Sequence, residues 1–192
     1  MFTKEYWSSS ASKLKQSRYL ALIAMFIAVK VVAGFFRIPV GENLNIIFKF
    51  LFVTVEASII GPVAGLVSGM VTDLVGFMIH PTGPFFIGYT ISEMLGSFIY
   101  ALFLYRTRIT VLRLALAKTV INFGVNVLIG SYWSSVLYSK GFIYYMTKSL
   151  VKNATALPFE IIALVALFNV IVPVLQHRRL IGPETAVPLK LF

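Results

Sequence analysis

Six apolar runs, each close to or longer than one bilayer crossing and divided by helix breakers and charge clusters, leave this chain few folds other than a helical membrane bundle. The runs lie at 19–36, 44–60, 62–80, 85–105, 111–138 and 144–176. A helix needs about 20 apolar residues to cross a hydrocarbon core about 30 Å thick, so the spacing predicts an all-α fold of six transmembrane helices in a single domain spanning 1–192. Gly61-Pro62 alone divides the second run from the third. The last two runs exceed one crossing, and Pro158 predicts a kink in the final helix. With 58% hydrophobic and 12% charged residues, a soluble form would expose too much apolar surface.

Charge sets the expected orientation. An even number of spans puts both termini on one side, where Lys4, Lys13, Lys15, Arg18, Arg106, Arg108, Arg113, Arg178, Arg179 and Lys190 gather ten of the seventeen cations. The positive-inside bias makes that side cytoplasmic, with 1–18 as an N-terminal arm, helical or flexible, and 177–192 as a tail. The net charge of +10 is then a matter of topology. It is not a nucleic-acid footprint, because the cations flank membrane runs instead of sharing a soluble face. The basic N-terminus is followed by a full-length apolar run without a cleavage site, so the first span is expected to be retained. The absence of cysteine removes disulfides, thiolate metal sites and thiol nucleophiles.

Small residues mark the expected packing faces. Gly61, Gly65 and Gly69 recur every four residues, as do Gly88, Ser92 and Gly96, the pattern by which membrane helices approach closely. Ala24 and Ala28 form a similar pair in the first span, open to internal packing or to a partner. Lys30, Lys49, Glu56, Asp73, Glu93, Lys118 and Glu160 lie within the runs, where an unpartnered charge costs roughly 2.5–3.5 kcal/mol. An ion-pair network accounts for them more simply than an ion pathway; Lys49 and Glu56 share a face, and Asp73, Glu93 and Lys118 sit on successive spans. Lys118, Asn122 and Asn126 form a polar stripe that should face the protein interior.

The outer ends of the spans combine rings and cations. Between two spans lies HPTGPFFIGY at 80–89, in which Pro81, Gly83 and Pro84 break helix and suit a turn that caps a ligand. Phe85, Phe86, Tyr89, Tyr132, Trp133, Tyr138, Tyr144 and Tyr145 form either an interfacial belt or stacking surfaces. Arg37, Lys140, Lys148 and Lys152 outweigh Glu42 and favour an anionic ligand with a flat apolar part. Lys148 and Lys152, one helical turn apart, suit a carboxylate. The segment 37–45, with Pro39 and Gly41, reads as a lid or as a plain connection. No nucleophile elbow, zinc-helix motif, phosphate loop or dinucleotide fingerprint accompanies these residues, and His80 and His177 fall at opposite ends of the bundle. Neither an enzyme nor a cofactor is expected.

From about Leu20 to Phe168 the chain resembles the substrate-binding S components of energy-coupling factor (ECF) vitamin transporters, and within them the folate-specific members. The resemblance rests on Ala24 and Ala28, on GPVAGLVSGMVTDLVGFMIHPTGPFF at 61–86, on GYTISEMLGSFIYALFLY at 88–105 and on the stretch 131–160. Folate members carry a similar D-L-x-G and P-T-G-P-Y-F-P-G-like loop, met here by Asp73, Leu74, Gly76 and residues 81–88, with Phe85 in place of the common tyrosine and Ile87 in place of the common proline. The resemblance implies a six-helix, multi-pass protein of the bacterial plasma membrane that captures folate or a reduced folate from outside. It further implies a transmembrane coupling subunit and two cytoplasmic ATPases as partners, with Ala24 and Ala28 as the docking surface. The residues agree: a pterin could be stacked by Phe85, Tyr89 and Trp133, its mixed edge met by Asn126 and Asn153, and the glutamate tail drawn by Arg37, Lys148 and Lys152.

Two other readings remain at the level of sequence. An S component for a neutral or cationic vitamin would not need the outer lysines. An unrelated membrane carrier or enzyme would depend on Asp73, Glu93 and Lys118 and not on the aromatics.

Overall fold

The computed structural model describes residues 3–41, 44–81, 83–138 and 140–192, with side chains placed outside 37–47. Helices dominate: α1 (Lys4–Lys13), α2 (Ser17–Phe35), α3 (Lys49–Ile60), α4 (Pro62–Ile79), α5 (Ile87–Leu104), α6 (Val111–Val120), α7 (Gly130–Leu137) and α8 (Phe142–His177). Between α6 and α7 the chain continues as a π-helix over Ile121–Ile129, so 111–137 forms one uninterrupted rod.

Among the described residues, five helices are long and apolar enough to cross a membrane: α2, α4, α5, the 111–137 rod and α8. The expected second span is different. Its first residues form strand β2 (Leu44–Ile47), paired antiparallel with β1 (Arg37–Gly41) in a two-stranded hairpin. A short apolar run has no periodicity that separates strand from helix, and here the β-branched Ile46 and Ile47 go to the strand. The remaining helix α3 has 12 residues, about 18 Å of rise. Every residue from Val53 to Ile60 is buried, so α3 is an inner element without a lipid-facing stripe.

Helix α8 runs for 36 residues through Pro158 and Pro173, about 54 Å at 1.5 Å per residue. Its excess length therefore projects as helix. Phe159, Ile162 and Val170 stand exposed along it, as a lipid-facing side requires.

The glycine stripe of α4 packs on α5. A Cβ at Gly69 would lie 2.9 Å from the Glu93 carbonyl oxygen, and one at Gly65 would lie 3.5 Å from that of Ser97. Gly96, in the other expected stripe, meets nothing within 4 Å and opens on a cavity. Hydroxyl groups inside the spans return their bonds to the helix: Thr54, Thr72 and Thr119 each donate to the carbonyl four residues back, at 2.7 Å.

The N-terminal arm is a docked helix. Ser10 Oγ donates to the Ile60 carbonyl at 2.9 Å and accepts from the Val63 and Ala64 amides at 3.0 and 3.1 Å. It thereby caps the end of α3 and the start of α4 together. Between these helices Gly61 takes φ +83°, where its missing Cβ would also lie 2.8 Å from Ser10 Oγ. Lys13 Nζ donates to the Ile59 carbonyl and sits over the Tyr105 ring, 4.4 Å from its centroid. Burial, reinforced by the Arg106 charge, holds the Lys13 amine down to about 8, although the ring face favours the cation. The C-terminal segment is tied down as well, its Lys190 and Leu191 carbonyls accepting from the Val111 and Leu112 amides at the start of α6.

Candidate functional site

A cavity of about 840 Å³ lies among α3, α5, the 111–137 rod and α8. The π-helix shapes one wall. Its wider turn spaces cavity-lining side chains four to five residues apart, at Ile121, Val125, Asn126, Gly130 and Ser131. Facing it, Tyr145, Ser149, Lys152, Asn153, Ala156 and Glu160 share one side of α8 at three- to four-residue intervals.

The wall changes character along its length. At the exposed end, Lys140 Nζ lies 3.1 Å from the Tyr144 hydroxyl, to which it donates. Lys140 and Lys148 place their ammonium groups 4.5 and 4.8 Å from the Tyr144 ring centroid. Tyr138 and Tyr145 lean together at 6.3 Å, and Tyr89 completes this aromatic rim.

Further in, amides dominate. Asn126 Nδ2 donates at 3.4 Å to both Asn122 Oδ1 and Asn153 Oδ1. These long bonds are weak enough to be exchanged for a ligand's, and Asn126 is exposed to the cavity. At the buried end, Glu160 binds Lys118 at 3.1 Å and accepts from Asn122 Nδ2 at 2.7 Å. The Ser97 and Ser131 hydroxyls, both 2% exposed, are buried on this wall without a hydrogen-bond partner among the described residues. Buried hydroxyls are rarely left so; the wall is built to be completed by a guest or by water.

A second cavity of about 430 Å³ adjoins the first and shares Lys49, Asp73, Tyr89, Glu93 and Tyr138 with it. Its other walls include Phe35, Phe77, His80, Phe85 and Phe86. The Lys49–Glu93 pair, at 2.6 Å, ties the base of the hairpin to α5 at the common boundary.

Six of the seven charges inside the spans pair, though with partners the sequence did not single out. Lys30 takes Glu56 at 2.5 Å, with Ser68 donating to the second carboxylate oxygen at 2.5 Å. Lys49 takes Glu93 and Lys118 takes Glu160, so Glu56 does not serve Lys49, and Asp73 and Glu93 do not serve Lys118.

Of the expected ligand residues, the larger cavity brings together Tyr89, Asn126, Lys148, Lys152 and Asn153. Phe85 lines the smaller cavity, in edge contact with Phe77 at 5.2 Å. Trp133 lines neither: it donates from Nε1 to Ser92 Oγ at 3.2 Å and meets Phe86 edge-on at 5.5 Å. The backbone of Arg37 lies in β1, but its side chain, like the rest of the 37–45 segment expected as a lid, lies outside the described side chains. Ala24 and Ala28 face outward on α2 beside exposed Met25 and Val32. Sequence reasoning did not nominate Ser97, Tyr100 or Ser131, which carry no spacing signal and come to line the cavity only once three helices converge.

A sequence family described as "ECF transporter, substrate-specific component" matches residues 18–174. The chain is 28% identical over 151 residues to the folate transporter FolT of Clostridium novyi (strain NT), covering 79% of this chain and 88% of that protein. It is 26% identical over 152 residues to FolT of Leuconostoc mesenteroides subsp. mesenteroides, covering 76% and 81%. Among solved structures it is similar to a crystal structure of FolT bound with folic acid, with a TM-score of 0.74 and 28% identity over 80% of this chain and 94% of that one.

Proposed function

The chain belongs to the substrate-specific components of ECF transporters, and on that premise we propose that it is the folate-binding subunit of an importer in the bacterial plasma membrane. It takes folate or a reduced folate from outside and delivers it inward when docked on an energising module of one transmembrane coupling subunit and two ATPases. The observation that carries the specificity is the graded wall of the larger cavity: lysines and tyrosines at the rim, amides in the middle, and at the buried end hydroxyls without a partner among the described residues. Folate has the same gradient of carboxylates, aromatic linker and polar heterocycle.

In this reading Lys148 and Lys152, with Arg37 from the hairpin, attract the glutamate tail. Tyr89 supplies a stacking face, Asn126 and Asn153 meet the polar ring edge, and Phe85 closes the neighbouring cavity. Trp133 supports that wall by fixing Phe86 and Ser92. With the hairpin and α3 together making a sixth crossing, both termini lie in the cytoplasm, where the cations of the N-terminal arm, the α5–α6 link and the tail collect. The exposed Ala24 and Ala28 face is the docking surface, since small side chains let a partner helix approach closely.

The test is a calorimetric titration of the detergent-solubilised protein with folic acid, thiamine, riboflavin, biotin and pantothenate, with tryptophan emission followed in parallel. Saturable binding of folic acid alone is expected. Binding of a different vitamin would keep the importer and replace the ligand, and binding of none would remove the capture role.

A further inference from the structure

We propose that Asp73 is the acceptor for the donor edge of the ligand's heterocycle, an inference that rests on the folate reading and specifies how its ring is recognised. Four acidic side chains on α3, α4, α5 and α8 face the interior. Three have cations: Glu56 has Lys30, Glu93 has Lys49 and Glu160 has Lys118. Among the described residues Asp73 has none. Its one polar contact among them is Thr90, itself 1% exposed, whose Oγ1 donates to Asp73 Oδ2 at 2.6 Å.

A carboxylate can accept about four hydrogen bonds, and one left open inside a membrane protein is costly. Thr90 fixes the carboxylate while leaving Oδ1 uncommitted among the described residues. The residue also lines both cavities, as does Tyr89, and Phe77, one turn along α4, lines the smaller cavity with Phe85 and Phe86. A half-buried anion flanked by aromatic faces suits a flat ring that brings its own donors. A pterin's 2-amino group and N3–H form two parallel donors, spaced for the two oxygens of one carboxylate. The Asn126 and Asn153 amides offer a single acceptor oxygen each and are already bonded to one another, so Asp73 is better matched to this edge.

The experiment compares the dissociation constants of folic acid and its 2-desamino-2-methyl analogue in wild type and in Asp73→Asn. Wild type is expected to prefer folic acid roughly ten- to hundredfold, the range for hydrogen bonds to a charged group. Asp73→Asn is expected to reduce that preference to near unity and to keep the ligand-free melting temperature, because Asp73 forms no ion pair among the described residues. A preference in Asp73→Asn equal to that of wild type overturns the assignment while leaving the folate reading intact. Failure of wild type to bind folic acid overturns both. Should Asp73→Asn bind neither compound, the ratio is read in Thr90→Val, where loss of the orienting donor should lower the preference about threefold; an unchanged ratio there overturns the assignment.

Discussion

Lys30 and Glu56 are each 1% exposed and are completed by Ser68, so neither charge can survive alone. Replacing Glu56 with leucine strands the ammonium and should cost about 3–5 kcal/mol, whereas Lys30→Met combined with Glu56→Leu should recover most of it. Thermal unfolding in detergent checks this as a large fall in midpoint followed by recovery. Lys148 belongs to the rim, over the Tyr144 ring, and Lys152 lines the cavity one helical turn further along α8: Lys152→Ala should weaken folic acid by roughly tenfold yet weaken its des-glutamate form, pteroic acid, much less, as read by calorimetry. At this scale the sequence was informative about which residue types matter and silent about their partners. Lys118, Asn122 and Asn126 could be read as one polar stripe because four-residue spacing is local. Glu160, which completes that stripe, is 38 residues from Asn122, and no periodicity reports a contact made across the bundle. The serines of the buried wall are common spacer residues in membrane helices, so nothing in their identity distinguishes them.

Element α1 is held to the α3–α4 junction by Ser10 and Lys13, and its attachment should depend on pH. Lys13 is held at about 8 when docked, against 10.5 ordinarily. Between these values the undocked helix binds more protons than the docked one, so docking strengthens as pH rises through this window and is weakest below it. Tyr6, raised to about 12 by burial and by Tyr105, stays protonated while docked but ionises near 10.0 when released, so it opposes the trend above that value. Trp7 stacks on Phe98 at 6.0 Å. Its emission during denaturant titration, read in a Trp133→Phe background, should show a midpoint rising from pH 8 to 10, and Lys13→Met should flatten the trend. Ser10→Ala should loosen the same helix by about 1–2 kcal/mol, as for other lost helix caps. Length and hydropathy alone make α2, α4, α5, the rod and α8 legible in the sequence. The hairpin is not, because the four residues of β2, three of them apolar, suit a strand as well as a helix turn. The π-helix is not, because the same residues fit α periodicity until the bundle demands a wider wall.

On the whole molecule, the cavity and the Ala24–Ala28 face lie apart: the larger cavity opens among α3, α5, the rod and α8, while α2 packs chiefly on α3 and α4. Ala24→Trp or Ala28→Trp should therefore abolish copurification with the energising partners and uptake in cells while leaving calorimetric binding of folic acid unchanged. Loss of binding with assembly retained would place the docking face elsewhere. The brevity of α3 has a further consequence, for biosynthesis. Twelve residues that include Lys49 and Glu56 are too short and too polar to leave the translocon for lipid unaided. Their charges are matched by Glu93 on α5 and by Lys30 and Ser68 on α2 and α4. Helix α3 is thus expected to wait at the exit channel until its flanking helices have been synthesised, and to enter the bilayer already wrapped by them.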